Sequence, residues 1–471
     1  MLQFELAQDP RICPHFGSRI LVLREALETH RQARRLNEED ANALFNTAQV
    51  LTSLAEILVE SRDTEEQSLA APLLEEAVEL LSACLTRQEA EYSDIKAAAA
   101  EMAAEGGVPL SEEVPIPVAA TPTTTEEPEE YATILEPITP EALLDTAFAQ
   151  LSALTALISA YIYTQPHSNP LNSVSFIAAP LIERRIPYFI SELPETVPEE
   201  PKSHSGPTLT LSLTGIVEKP REVPTVATQA SKTAEAKLLQ ANFIAAMADA
   251  EYRYELIDLP TYSDRLATAF NALIVIEPKS LPEKAQYRDV HEAYAEALIA
   301  FASTVGEVSP KAGGFTIQQL RLEALTQALK LVDPNDSLSA SNLTARRAAE
   351  MNSLCGDIEM QRRAIALLPH APEEMRQHVE EMTNSAGTFY VTATRWNSPP
   401  QTEEEKDLLR TAMFKAVFAA SLSANEGNRP TKQDLTSVPP NAREEIMRDM
   451  LEEELVTTAE AQYFQSTFLG S

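Results

Sequence analysis

Small side chains recur at helical spacing in LREALETHRQARRLNEEDANALFNTAQVLTSL, residues 23–54. Ala26 and Ala33 lie seven residues apart on one helical face, and Ala48 follows 22 positions after Ala26 on what reads as the next helix. Two antiparallel helices approach closely only where side chains are small, because a large residue at the crossing holds the backbones apart. The spacing predicts helices paired through alanine.

The whole chain supports helix. Among its 471 residues glycine is scarce, at 12, and aromatics make up 6%, while Ala, Leu, Glu and Gln abound. That balance favours helix over sheet and predicts an all-α class. Amphipathic patterning with start and stop signals places helices near 17–36, 40–60, 65–102, 140–163, 172–192, 231–257, 261–277, 282–305, 315–332, 340–367, 372–394, 403–424 and 440–464. Pro140-Glu141 and Pro282-Glu283 open helices, and Asn37 with Asp40 brackets another start. In 443–455, Ile446, Met450 and Leu451 face inward on an amphipathic helix that caps the array.

Two stretches break the pattern. Residues 104–139 and 194–229 are rich in Pro, Thr, Glu and Ser; proline forbids continuous helix and the rest supply little to bury, which predicts two disordered insertions. TLTLSLTGIV, inside the second, alternates polar and apolar residues as an edge strand or an extended docking peptide would. The expected organisation is N-terminal helices over 1–103, a linker over 104–139, an apolar helical pair over 140–193, an insertion over 194–229, C-terminal helices over 230–439, and the capping helix with its tail over 440–471. From Thr146 to Ile182 there is no charged residue. Gln150, Ser152, Thr155 and Ser159 interrupt it and Pro166 follows, so a helix buried by neighbours is expected there, with no membrane span.

The paired alanines carry a resemblance. Ala26, His30 and Ala33 fall where the second helix of a tetratricopeptide unit places small, bulky and small residues. Leu44, Ala48 and Leu51 fall on the next first helix, and Ala77, Leu81 and Cys84 on its partner, displaced by VESRDTEEQSLA. Phe270 with Pro278, ALTQALKLVDPND, and Gly356 as a close-contact glycine in LCGDIEMQRRAIAL extend the likeness. The chain thus resembles the tetratricopeptide-repeat superfamily over 17–92 and 231–425; a generic helical bundle or a HEAT-type solenoid stays the alternative. The resemblance implies a right-handed superhelix of antiparallel helix pairs, an α-solenoid whose concave groove binds a peptide, a helix or a whole protein.

Charge narrows the partner. With 71 acidic and 37 basic residues the formal net charge is -34, which disfavours nucleic acid and anionic membrane and complements a basic client. Candidate acidic surfaces are Glu38, Glu39 and Asp40; Glu65 and Glu66; Glu75, Glu76 and Glu79; and Glu452, Glu453 and Glu454. Each could equally solvate a helix face or sit at a helix N-terminus. In some members of the family, lysines and asparagines clamp acidic chaperone tails. Asn46 stands near the asparagine position, but no lysine precedes Lys96, so Arg24, Arg31, Arg34, Arg35 and Arg62 would have to supply the cations.

No phosphate-binding loop, dinucleotide fingerprint, nucleophile elbow or H-E-x-x-H is present, which leaves no catalytic, cofactor or metal residues to nominate. His370 and His378 would need ligands from elsewhere to hold a metal. Trp396, the single tryptophan, is expected in a core. Cys13, Cys84 and Cys355 are scattered, and MLQFELAQDPRICPHF lacks the charged and apolar regions of a leader, so reduced thiols and a cytoplasmic or nuclear location are expected. The sequence predicts a non-enzymatic protein-binding repeat: adaptor, assembly factor or chaperone. A structural subunit of a permanent complex is the alternative, with a helical enzyme lacking recognisable motifs third.

Overall fold

The computed structural model describes residues 18–61, 63–104, 137–164, 170–193, 229–274, 281–308, 315–332, 344–395, 402–423 and 435–469, together with Phe4 and Pro400. Among them the regular structure is helical throughout. In chain order the helices are α1 (Arg19–Leu36), α2 (Ala41–Glu60), α3 (Thr64–Ala104), α4 (Pro140–Thr164), α5 (Leu171–Pro180), α6 (Ile186–Glu192), α7 (Gln229–Arg253) and α8 (Leu259–Ile274). There follow α9 (Leu281–Val308), α10 (Phe315–Val332), α11 (Ala345–Ala366), α12 (Glu373–Gln377), α13 (Val379–Ala393), α14 (Glu403–Leu422), α15 (Pro440–Glu452) and α16 (Thr458–Phe464). The insertions at 104–139 and 194–229, the strand-like TLTLSLTGIV, Cys13, Arg62, Pro278 and Trp396 fall almost wholly or entirely outside the described residues.

Local chemistry sets the helix ends. Ser18 accepts the amide of Leu21 at the start of α1, and Asp40 accepts that of Asn42 at the start of α2. Thr402 with Glu405 and Thr457 with Glu460 form reciprocal capping boxes on α14 and α16. Three expected single helices are interrupted. The one over 172–192 passes through a wide π turn at Leu181–Arg185, between Pro180 and Pro187, neither of which has an amide hydrogen to give. The one over 372–394 breaks at His378. The one over 440–464 stops at Glu453, and Glu454 turns left-handed with φ 55°.

Packing runs in series. Each helix rests mainly on its sequence neighbours: α1 on α2, α2 on α3, α3 on α4, α4 on α7, then α7 with α8 and α9, α9 on α10, α10 on α11, α11 on α13 and α13 on α14. Connections of a few residues between packed neighbours make such pairs antiparallel. Among the described residues the apolar side chains form three large cores along the chain and a small fourth cluster, Ala349, Ala393 and Ala412, joining α11, α13 and α14; single helices are shared between them. On α7, Ala236, Phe243, Met247 and Ala250 face the first core, while Ala241, Ala248 and Tyr252 face the second. Spacings of seven, four and three put each set on its own stripe. On α11, Cys355, Ile358 and Ile365 serve the second core and Met360 the third.

The alanine reading holds at Ala26, Ala48 and Ala77, all fully buried in the first core. Ala33 is exposed, contrary to expectation: the buried stripe of α1 ends at His30, and its last turn overhangs. Gly356 is a close-contact glycine, since a Cβ there would stand 2.4 Å from the ring of Tyr390 on α13. Helix α4, whose only charged residues are Glu141 and Asp145 near its start, is the one described helix long and apolar enough to cross a bilayer, and 61% of its most apolar window is buried, by α3, α7 and their neighbours. Cys84 and Cys355 are buried and outside any disulfide, and burial pushes the Cys84 thiol up to about 11.

Candidate partner-binding surfaces

Among the described residues, two of the open grooves between helices have mainly apolar linings. The first, about 540 Å³, runs between α7 and α8 over Ala241, Ile244, Ala269 and Leu273, with Lys237 and Asp264 at its rim. Its walls are locked from behind. Asp249 on α7 accepts the hydroxyls of Tyr262 on α8 at 2.9 Å and Thr304 on α9 at 2.6 Å, and pairs with Arg253 at 2.8 Å. Arg253 in turn reaches Glu307 and Thr304 on α9, each at 2.5 Å. Burial, then the Asp249 carboxylate, push the Tyr262 hydroxyl well above the ordinary tyrosine value, so it stays a proton donor.

The second groove, about 700 Å³, lies between one face of α10 and the start of α12. Leu322 and Met375 line its floor and Phe315, 56% exposed, stands at one end. Glu323, Glu373 and Glu374 supply carboxylates, and Lys330 marks the far end. Arg376 fixes the α12 wall by donating to the carbonyls of Leu368 and Pro369.

Most of the sequence-nominated acids have partners inside the chain. Asp40 caps α2, and Glu39 pairs with Arg87 of α3 at 2.8 Å, while Glu38 is exposed. Glu76 is held by Arg31 at 2.5 Å and Arg34 at 3.7 Å, Glu66 by Arg24 at 3.6 Å, and Glu75 accepts the hydroxyl of Tyr161 at 2.7 Å. The arginines nominated for a clamp and the carboxylates nominated for a basic client thus largely neutralise one another. Glu79 is exposed on α3, and Asn46 is half-buried on α2. His370 is exposed, and Nδ1 of His378 lies 2.8 Å from Glu381.

Two exposed members of the C-terminal acidic run, and Glu460 beyond it, reach buried cations. Glu454 meets the buried Arg321 of α10 at 2.6 Å, and Glu460 meets the buried Arg363 of α11 at 2.6 Å. Glu453 lies 3.8 Å from the buried Lys415 of α14, which also holds Asp357 at 2.7 Å. Burial alone would push the Lys415 ammonium down; the Asp357 and Glu453 carboxylates outweigh it and hold it above the ordinary lysine value. Sequence reasoning missed these cations. One signal was available: Gly306, inside α9, where a Cβ would stand 2.5 Å from the Arg321 guanidinium.

No protein-family model matches the chain, and no curated protein matches it. Among solved structures it is similar to one described as a circular tandem repeat protein with novel repeat topology and enhanced subunit contact surfaces. The two are 13% identical, with 98% of this chain and 85% of that chain covered and a TM-score of 0.31, a likeness that carries no argument about this molecule.

Proposed function

We propose that this chain is a non-enzymatic helical-repeat scaffold of tetratricopeptide-like, superhelical build that binds another protein, with a basic client favoured, as an adaptor, assembly factor or chaperone. The observation that carries this reading is the division of the apolar interior into three large cores in series, with one small alanine cluster beside the third. Helices stacked in a line leave flanks that a globule would close, and here two such flanks are grooves of about 540 and 700 Å³ with apolar floors and charged rims. The net charge of -34 supports a basic partner through steering. Cys84 and Cys355, buried and outside any disulfide, accord with a reducing compartment, cytoplasm or nucleus.

A second reading, a subunit of a permanent complex, draws on Leu36, Phe176 and Met102, large apolar side chains that are 89%, 82% and 62% exposed. Purification of the chain alone separates the two: a scaffold stays monodisperse, whereas an obligate subunit aggregates without its mates. The protein-binding reading is tested by capturing partners from a native extract and reconstituting the pair from purified components. Saturable, salt-sensitive binding of a basic partner supports it; an absence of any reconstituted pair contradicts it.

A further inference from the structure

The α10–α12 groove has a pattern of its own. Its α10 wall presents Phe315, Gln319, Leu322, Thr326 and Lys330, steps of three and four that keep one helical face turned into the groove. From Phe315 to Lys330 that face is about 22 Å long at 1.5 Å per residue, the length of four helical turns. A ridge of this length takes another helix laid along it.

The rim carboxylates have not spent their charge. Among the described residues Glu374 pairs with no cation, Glu323 accepts the side-chain amide of Gln319 at 2.8 Å and pairs with no cation, and Glu373 pairs with Arg376 at 3.4 Å. The guanidinium of Arg376 is largely committed to the Leu368 and Pro369 carbonyls. Three carboxylates therefore flank the apolar floor, with a single ammonium, Lys330, at one end.

Resting on the protein-binding reading and naming its partner's chemistry, we infer that this groove receives an amphipathic helix of the partner, with an apolar face flanked by lysine or arginine. Phe315 and Met375 meet the apolar face above the buried Leu322, the basic side chains lie against Glu323, Glu373 and Glu374, and Lys330 orients the segment by favouring an acidic or carboxylate-bearing end beside it. A hydrophobic anchor supplies affinity here, and the charged rim supplies rate and selectivity.

The test uses the full chain and a fluorescently labelled amphipathic peptide about 18 residues long, with leucine on one face and lysines beside it. A peptide of equal charge with serine in place of leucine is the control. Fluorescence anisotropy at fixed ionic strength reads affinity for the parent chain, the triple variant Glu323→Gln/Glu373→Gln/Glu374→Gln, the variant Phe315→Ser, and a remote triple variant, Glu25→Gln/Glu28→Gln/Glu38→Gln. All seven positions are exposed or half-exposed, and unchanged circular dichroism verifies folding. The groove variants are expected to weaken the leucine peptide about tenfold each, the remote triple by less than about twofold, and the serine peptide to bind at least about tenfold more weakly than the leucine one. Equal loss from the remote triple would reveal bulk charge attraction and overturn the proposal, as would indifference to both groove variants or no saturable binding. A chain that still captures a basic protein partner in that event keeps the broader reading and loses only this groove.

Discussion

A glycine inside a helix costs about 1 kcal/mol relative to alanine, so an interior glycine that persists has a neighbour to accommodate. Gly356 accommodates Tyr390, a fully buried ring whose hydroxyl donates to Asp357 at 2.7 Å. The ring has no free space to move into, so Gly356→Ala is expected to destabilise by about 1–3 kcal/mol despite its better helix propensity, measured by urea unfolding. A gain in stability would show that α11 and α13 are farther apart than described. His30, buried on α1, titrates below its ordinary value of 6.5, with burial the largest cause. Its neutral form is the folded one, so its contribution is complete above about pH 6.5 and is lost as pH falls through the depressed value. Unfolding at stepped pH should show the parent chain weakening below 6.5 more steeply than His30→Leu; parallel curves would contradict this. Gly356 and His30 were both legible in the sequence from their places in the repeat pattern. Arg321, Arg363 and Lys415 were not, because nothing local distinguishes a buried cation from a solvated one until the carboxylates more than 35 positions away are brought to it.

Two helices end in the same uncommon way. Glu255 after α7 and Glu454 after α15 both turn left-handed, with φ 58° and 55°. In each case the next leucine amide reaches back five residues, Leu256 to Glu251 and Leu455 to Met450, and Asp258 or Thr457 then caps the following helix. The matching stretches are ELID and ELVT, and neither contains the glycine that normally announces such a turn, which is why the sequence extended the helix through 440–464. The two elbows differ in what the glutamate does: Glu255 is exposed, whereas Glu454 pairs with Arg321. Glu255→Gly is therefore expected to stabilise by about 0.5 kcal/mol by relieving the left-handed cost. Glu454→Gly should destabilise by about 1–2 kcal/mol, because a buried guanidinium loses its carboxylate. Thermal unfolding of the two variants checks the contrast, and equal shifts would contradict it. At Glu460, burial alone would push the carboxyl up, but Arg363 and Thr457 hold it below the ordinary 4.5. That contribution is present above 4.5 and fades as pH falls through the lowered value, so hydrogen exchange over 455–464 should accelerate in acid before that of α4. Simultaneous release of both segments would argue against an ion-paired attachment of the C-terminal helices.

At the scale of the molecule, the placement of the helical segments and most of their outer boundaries followed from apolar spacing and caps, because those are properties of contiguous residues, whereas the three internal breaks did not. The grooves did not, because Leu322 and Met375 meet only once α12 has turned back toward α10, and PHAPEEM carries no sign of that return. The internal pairing of part of the acidic surface was hidden for the same reason. Composition counts carboxylates, while folding matches Glu66, Glu76 and Glu454 with the chain's own cations. What unifies the molecule is the serial interior, with α7 shared by the first and second cores and α11 by the second and third. Such an array unfolds as coupled neighbours, not as one block. Hydrogen exchange followed by mass spectrometry across a urea titration reads this directly. Helices α4, α9 and α14, one from each core, are predicted to lose protection at separate urea concentrations, with α7 and α11 tracking whichever neighbour opens last. A single midpoint shared by all five helices would mean one closed core, and would contradict both the serial architecture and the open grooves that depend on it.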